Sequence, residues 1–119
     1  MLYWGDIDTD GLKILSSARS HFPRTQSVLM DMSTLQRYRD RWVLEGCANL
    51  QADRACLTPE ELSLYDALLA NAWQDWNSAQ GVRLEQERLD WLHVEEALRA
   101  AVSQVLAPQG DFLGKSATQ

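Results

Sequence analysis

The sequence is poor in cysteine, in long apolar runs and in basic residues. Its two cysteines, Cys47 and Cys56, enclose neither a histidine nor a second cysteine pair, whereas a structural zinc site needs four such ligands. We therefore expect reduced thiols, with a disulfide between them as the alternative. No apolar run approaches the ~18 residues of a membrane-spanning helix, and no segment has a signal-peptide pattern. These absences predict a cytoplasmic protein with no membrane partner.

Acidic residues outnumber basic residues by 17 to 11, which gives a formal net charge of −6. A domain that holds DNA unaided is usually basic, because the neutralisation of phosphates supplies most of its affinity. The charge indicates either a protein that does not touch nucleic acid, or one part of an assembly whose other parts hold the duplex. It fits a module that collects divalent cations, and it fits an ordinary solvated surface equally well.

Apolar periodicity predicts an α/β fold whose elements follow the order β-α-β-α-α-β-α. The predicted strands are residues 2–5, 27–30 and 82–87, and the predicted helices are about residues 10–22, 33–42, 59–81 and 91–108, with a loop over residues 45–57. Strands that alternate with helices favour parallel pairing, so we expect a short parallel sheet of about three strands flanked by helices. The clearest local signal is Thr58-Pro59-Glu60-Glu61, which supplies an N-cap, a proline at the first helical position and a glutamate that can bond back to the cap.

The domain boundaries follow from this pattern. Residues 1–108 are expected to be the C-terminal part of a larger domain, because three strands make a thin sheet and the first strand has almost no lead-in. Residues 109–119 are small and polar, and we expect them to form a disordered tail.

The strongest candidate for a functional site is the acidic turn, residues 6–11, between the first strand and the first helix. Ligands of open α/β sheets bind at the carboxyl ends of the strands, where Asp6, Asp8 and Asp10 are expected to lie. Alternate carboxylates can converge on one cation, and oxygen ligands suit Mg²⁺ or Mn²⁺. Gly11 would let the backbone pass closely into the helix. The alternative is an acid-rich helix start that needs no metal.

The order of strand, Asp-x-Asp-x-x-Gly and helix resembles the second acidic motif of Toprim domains, which occur in type IA and type II topoisomerases, primases and related nucleases. Asp6, Asp8 and Gly11 match that motif position by position, and Asp10 falls where type IA topoisomerases often carry a third acid. The resemblance implies that the aspartates bind Mg²⁺ used in DNA strand cleavage, joining or nucleotide transfer.

Three segments narrow the resemblance: Tyr3-Trp4-Gly5-Asp6-Ile7-Asp8-Thr9-Asp10-Gly11, Ser27-Val28-Leu29-Met30-Asp31 and Arg83-Leu84-Glu85-Gln86-Glu87. Together they resemble the C-terminal Toprim-like domain of the JetD family, the nuclease subunits of the bacterial Wadjet anti-plasmid system, related to the A subunit of topoisomerase VI. The likeness spans roughly residues 3–98. It implies metal-dependent cleavage of double-stranded plasmid DNA, a homodimer, and partnership with an SMC-like complex.

One departure concerns the catalytic glutamate that Toprim domains carry at the end of an earlier strand. This sequence begins after the place where that strand should lie, so we expect a metal-binding half-site that is inactive alone, and no catalytic residue is assigned within the chain. The main rival is a non-catalytic α/β interaction module, or a truncated remnant, whose acidic turn is only a helix cap. A phosphoacceptor or phosphatase-like site is disfavoured because no lysine, serine or threonine follows the third predicted strand.

Three further acids are possible accessory residues. Asp31 follows the second predicted strand and could either orient a metal or cap the next helix. Glu85 and Glu87 would share one face of the third strand with Arg83, where they could supply charge near the metal or contact a partner domain. The alternative for them is a solvated edge, since exposed charges usually contribute little.

Overall fold

The computed structural model describes residues 1–77 and 81–106, in which short strands alternate with helices. The strands are β1 (Leu2–Tyr3), β2 (Gln26–Ser27), β3 (Val43–Leu44) and β4 (Val82–Arg83). The α-helices are α1 (Thr9–His21), α2 (Met32–Arg37), α3 (Pro59–Leu69) and α4 (Trp91–Leu106). Single 3-10 turns cover Arg39–Arg41, Arg54–Cys56 and Gln86–Arg88. The predicted tail, residues 109–119, lies outside the described residues.

The strands form two separate pairs. β1 and β2 pair in parallel, with Leu2 opposite Gln26, and helix α1 makes the crossover between them. β3 and β4 pair antiparallel, and an isolated antiparallel bridge between Ile7 and Leu84 lies beside them. The α/β class and the short parallel sheet are therefore confirmed.

The third predicted strand differs from its expected pairing. Its strand part ends at Arg83, and it pairs antiparallel with β3 instead of joining the parallel sheet. β3 has only two residues, too few to show the alternation by which a strand is recognised in a sequence. Parallel pairing is expected for strands that are separated by helices, but tertiary contacts place β4 antiparallel to β3.

Local hydrogen bonds explain where the helices begin. Asp8 caps α1, and Asp31 caps α2 by accepting from the N–H of Thr34. The predicted capping box of α3 is confirmed: the Thr58 side chain accepts from the N–H of Glu61, and the Glu61 side chain accepts from that of Thr58. These bonds satisfy N–H groups that a helix leaves without intrahelical partners.

Two helices end earlier than their apolar pattern predicts. α2 stops at Arg37, so Trp42 reaches the core after a 3-10 turn and not on the helix itself. α3 stops at Leu69, and Asn71 follows with a φ of 48°, in the left-handed region that ends a helix. Trp73 and Trp76 still pack inward, edge-on to Trp42, with ring centroids at 5.4 and 5.6 Å.

The core lies between α1, α3 and the two strand pairs. Side chains from both sheets and from three helices contribute to it; the most deeply buried are Ile7, Leu12, Leu15, Leu35, Leu64, Tyr65, Leu68, Val82 and Leu84. Because Ile7 and Leu84 are both core residues, their bridge fixes the acidic turn against the end of β4. Across residues 1–77 and 81–106, no helix is long and apolar enough to cross a membrane.

Candidate functional site at the acidic turn

The acidic turn is held to β4 by backbone hydrogen bonds. The N–H of Ile7 donates to the carbonyl of Leu84 at 2.9 Å, and the N–H of Leu84 donates to the carbonyl of Ile7 at 3.0 Å.

A Cβ atom on Gly11 would lie 2.0 Å from the carbonyl oxygen of Asp6 and 3.2 Å from Oδ1 of Asp8. Position 11 therefore accommodates only glycine without a backbone shift.

Asp8 is the most deeply buried acid of the turn, with 2% of its surface exposed. Its Oδ1 atom accepts from the N–H of Gly11 at 2.6 Å and so caps α1. Its Oδ2 atom accepts from Nε of Arg83 on β4, also at 2.6 Å. A carboxylate this deeply buried is costly without such partners, and here each of its oxygens has one.

Asp6 and Asp10 are each bonded to a different segment of the chain. Oδ1 of the partly buried Asp6 accepts from the backbone N–H of Gln86 at 2.8 Å. Oδ1 of the exposed Asp10 accepts from the side-chain amide of Asn49 at 2.9 Å. Each of the three carboxylates thus has a hydrogen-bond donor outside the turn: Gln86 for Asp6, Arg83 for Asp8 and Asn49 for Asp10.

Tyr3 on β1 lies close enough to the three carboxylates of the turn to be affected by their charges. Burial, and then the charges of Asp8, Asp6 and Asp10 in that order of effect, together raise the pKa of the Tyr3 hydroxyl to about 12. The hydroxyl donates to the carbonyl of Gly11 at 3.3 Å. Tyr3 is therefore a neutral donor beside the turn at physiological pH.

Glu45 is a fourth carboxylate at the start of α1, and sequence reasoning missed it. It is 8% exposed, and its Oε2 atom accepts from the Thr9 hydroxyl at 2.7 Å and from the N–H of Asp10 at 3.2 Å. Its Oε1 atom accepts from the N–H of Thr9 at 3.3 Å. Glu45 follows β3, so only the pairing of β3 with β4 brings it to this helix end. No motif in the sequence marks it.

Arg83 carries the positive charge that faces this acidic group. Burial, the largest influence, lowers the pKa of Arg83, but the hydrogen bond to Asp8 and the charges of Asp8, Glu45 and Asp6 together raise it above its ordinary value. Arg83 also lines a groove of about 470 Å³ together with Asp10 and residues 47–51. Its guanidinium thus lies between a buried carboxylate and an open surface.

The comparison with protein families bears directly on this arrangement. The family model described as Wadjet protein JetD, C-terminal, matches residues 1–98, which is most of the 119-residue chain. The chain belongs to the Wadjet protein JetD C-terminal family. A comparison with curated proteins found no match. The expected resemblance to the JetD family is confirmed, and the acidic turn, β2 and β4 all lie within the matched residues.

In this JetD C-terminal chain, the acids of the turn match a metal ion in their chemistry but not in their arrangement. Asp6, Asp8 and Asp10 supply carboxylate oxygens, which Mg²⁺ and Mn²⁺ prefer as ligands. All three carboxylates belong to one turn, and their charges all raise the pKa of Tyr3. Within the described ranges, however, no three acidic, histidine or cysteine side chains are arranged closely enough to hold a metal ion. Each of the three carboxylates is instead bonded to donors of its own: Asp6 to Gln86, Asp8 to Gly11 and Arg83, and Asp10 to Asn49.

The accessory acids Asp31 and Glu85 have partners of their own. Asp31 is exposed and caps α2, accepting from the N–H of Thr34 at 2.9 Å and from the Ser33 hydroxyl at 3.2 Å. Glu85 lies 3.6 Å from Arg88, three residues away, and Glu87 is exposed on a 3-10 turn. Because β4 ends at Arg83, the expected shared strand face of Arg83, Glu85 and Glu87 does not form.

Proposed function

We propose that this JetD C-terminal chain is the metal-binding part of a Toprim-type DNA endonuclease subunit that acts in plasmid restriction. One observation carries the proposal: a chain of the JetD family presents three carboxylates, those of Asp6, Asp8 and Asp10, from the single turn that leads into α1. Buried or clustered like charges repel, and a cation relieves that repulsion. A turn fixed by Gly11 and by the Ile7–Leu84 bridge is rigid enough to hold such a cluster.

Asp6, Asp8 and Asp10 would hold Mg²⁺ or Mn²⁺. The N–H of Gly11 fixes the carboxylate of Asp8, and the backbone N–H of Gln86 orients that of Asp6. Glu45 fixes the first turn of α1 by accepting from Thr9 and Asp10, and so holds the aspartates in register. A cation held by these carboxylates would supply Lewis-acid chemistry, polarising the scissile phosphate and stabilising its developing charge.

The DNA is held mainly by other parts of the parent protein. The formal net charge of −6 would repel a duplex from most of this chain's surface. A basic domain elsewhere in the subunit, a homodimer and an SMC-like Wadjet complex would bring plasmid DNA to the acidic turn in the cytoplasm. Family membership supports this assignment to a defence-system subunit.

A second candidate is a non-catalytic interaction module in which the acidic turn is only a helix cap. Asp8 favours it, because each of its oxygens already has a hydrogen-bond donor. Asp31 favours it too, because it caps α2. The two candidates differ in one respect: a cap needs no cation, whereas the nuclease site must take up Mg²⁺ or Mn²⁺.

Paramagnetic broadening of backbone amide signals by Mn²⁺ separates the two candidates. We expect broadening confined to the residues around the turn, 5–12, and weaker broadening in Asp10→Asn, which removes one exposed carboxylate without disturbing the core. The matched control is Asp66→Asn, an exposed acid that pairs with Arg54 on the surface and should leave the broadening unchanged. Broadening that is uniform, or absent from the turn, would contradict the metal site and leave helix capping as the role of these aspartates.

A further inference from the structure

We propose that the outward face of α4 binds a second copy of this chain, with the two α4 helices antiparallel across a twofold axis. The outward face consists of the residues that line a groove of about 660 Å³ on this helix: Trp91, Glu95, Leu98, Arg99, Val102 and Ser103. The homodimer of the proposed function has no assigned surface, and the outward face of α4 would be that surface. It contains no residue of the acidic turn, so a second copy could bind there whether or not the turn takes up a metal ion.

Helix α4 carries apolar residues on two different sides. On one side Val94 and Ala101, two turns apart, are buried against the rest of the chain. On the other side Trp91 is 64% exposed, Val102 is 44% exposed and Val105 is 50% exposed. A soluble chain rarely leaves a contiguous row of large apolar side chains in water unless the row is a binding surface. The core therefore accounts for only one of the two apolar sides of α4.

The spacing along the open side is that of a helix that pairs with another helix. The residues of this row follow one another at intervals of four, three, four and three positions: Trp91, Glu95, Leu98, Val102 and Val105. An average interval of 3.5 residues keeps a row of side chains facing one partner helix along its length. Trp91 adds a large aromatic side chain, a residue type that often anchors an interface. The open side of α4 therefore fits a helix better than it fits a loop or a strand.

The charges of the outward face favour a second copy of this chain as the partner. Glu95 and Arg99 are the charged residues that line the groove, and they form an ion pair at 2.9 Å. The outward face therefore has no net charge, although the whole chain carries −6. Two copies of an acidic chain repel each other, and a face without net charge is where they can approach. One acid and one base are also self-complementary, because a twofold axis brings the acid of each copy to the base of the other.

The same two charges set the register of the helix pair. With the axis beside Ala97, Glu95 of each copy lies opposite Arg99 of the second copy. Trp91 of each copy then lies near Val102 of the second copy, which sets a large side chain against a small one. The overlap is about thirteen residues long, or about 20 Å at the rise of an α-helix. A contact of this length is small for a protein interface, so we expect a reversible dimer with a dissociation constant on the order of tens of micromolar.

Charge reversal tests the pairing. The purified chain is followed by sedimentation equilibrium at concentrations on both sides of the expected dissociation constant, and the wild type should form dimers. Glu95→Arg sets arginine against arginine across the axis, and Arg99→Glu sets glutamate against glutamate, so each variant alone should dimerise at least about tenfold more weakly. An equimolar mixture of the two variants should recover the wild-type affinity as a heterodimer, because one copy then carries two bases on this face and the other copy two acids.

The matched control is Asp66→Arg, which reverses the acid of an exposed ion pair on α3 and should leave the dimer unchanged. Circular dichroism checks that each variant keeps the helix content of the wild type. Recovery in the mixture is a result that neither misfolding nor the binding of another segment of the chain to this face would give. A wild-type chain that stays monomeric at every concentration would overturn the proposal. Dimers that neither single variant weakens, or weakened variants whose mixture does not recover, would overturn it as well.

Discussion

The guanidinium Nε of Arg83 lies 2.6 Å from Oδ2 of Asp8, although 75 positions separate the two residues in the chain. Asp8 caps α1 and Arg83 ends β4, so this one contact ties the first helix to the antiparallel strand pair. It also places a positive charge directly on the most buried carboxylate of the acidic turn. The contact therefore concerns both the stability of the fold and its proposed metal chemistry.

Asp8→Ala should destabilise the protein substantially. The substitution removes an N-cap and leaves Arg83 without its carboxylate, which together should lower the free energy of unfolding by about 2–4 kcal/mol. Unfolding by urea, followed by circular dichroism, measures the change. Asp66→Ala, at an exposed ion pair, is the control and should have little effect. A loss for Asp8→Ala as small as that of the control would contradict the structural role given to this residue.

Gly11→Ala should also destabilise the protein, although alanine favours helices more than glycine does. The added Cβ would lie 2.0 Å from the carbonyl oxygen of Asp6, so the backbone of the turn would have to move. We expect a loss of more than about 1 kcal/mol in the free energy of unfolding. Gly81→Ala is the matched control, because its nearest new contact is an ordinary 3.7 Å. Equal effects at the two positions would show that the close approach at Gly11 does not matter.

Stability should fall in acid partly because of Glu61. Burial raises the pKa of this carboxyl, but hydrogen bonds from Arg19, Ser27 and the Thr58 backbone, with the Arg19 charge, bring it below its ordinary value of 4.5. A depressed pKa in the folded state contributes stability above 4.5 that is lost as the pH falls through the folded value. The pH dependence of urea unfolding should therefore be flatter below pH 4.5 in Glu61→Gln than in wild type.

The control for that experiment is Glu60→Gln, an exposed neighbour in the first turn of the same helix. We expect its unfolding to keep the wild-type slope against pH. Glu61→Gln should in addition be less stable than wild type at neutral pH, because it removes the charge that faces the largely buried Arg19. An unchanged acid slope in Glu61→Gln would assign the pH dependence to other carboxylates.

Plasmid restriction tests the proposed function in cells. In a Wadjet system in which this chain supplies the JetD C-terminal part, Asp6→Asn and Asp8→Asn should abolish restriction, measured as recovery of plasmid transformation. Asp10→Asn should weaken it, because Asp10 is the most exposed of the three carboxylates. Asp66→Asn should restrict like wild type at equal protein levels. Full restriction by Asp8→Asn would remove the metal role assigned to the turn.

The sequence by itself determined the features that depend on near neighbours. The capping box joins Thr58 to Glu61 over three positions, and the cap joins Asp8 to Gly11 over three, so residue types at fixed spacing predict both helix starts. The position of α1 between two strands, and hence the parallel β1–β2 pair, follows from apolar periodicity. The α/β class rests on these short-range signals.

Only the tertiary structure decided how the turn is surrounded. Glu45 contacts Thr9 across 36 positions, and Arg83 contacts Asp8 across 75, because β3 pairs antiparallel with β4. A strand of two residues is too short to show the alternation of apolar and polar residues from which a strand is predicted. The sequence also does not indicate which distant residue a charged side chain will contact. The acids of the turn could be named in advance because they are adjacent in the chain. The arginine that neutralises one of them could not, because its place is fixed by packing of the core around Ile7 and Leu84.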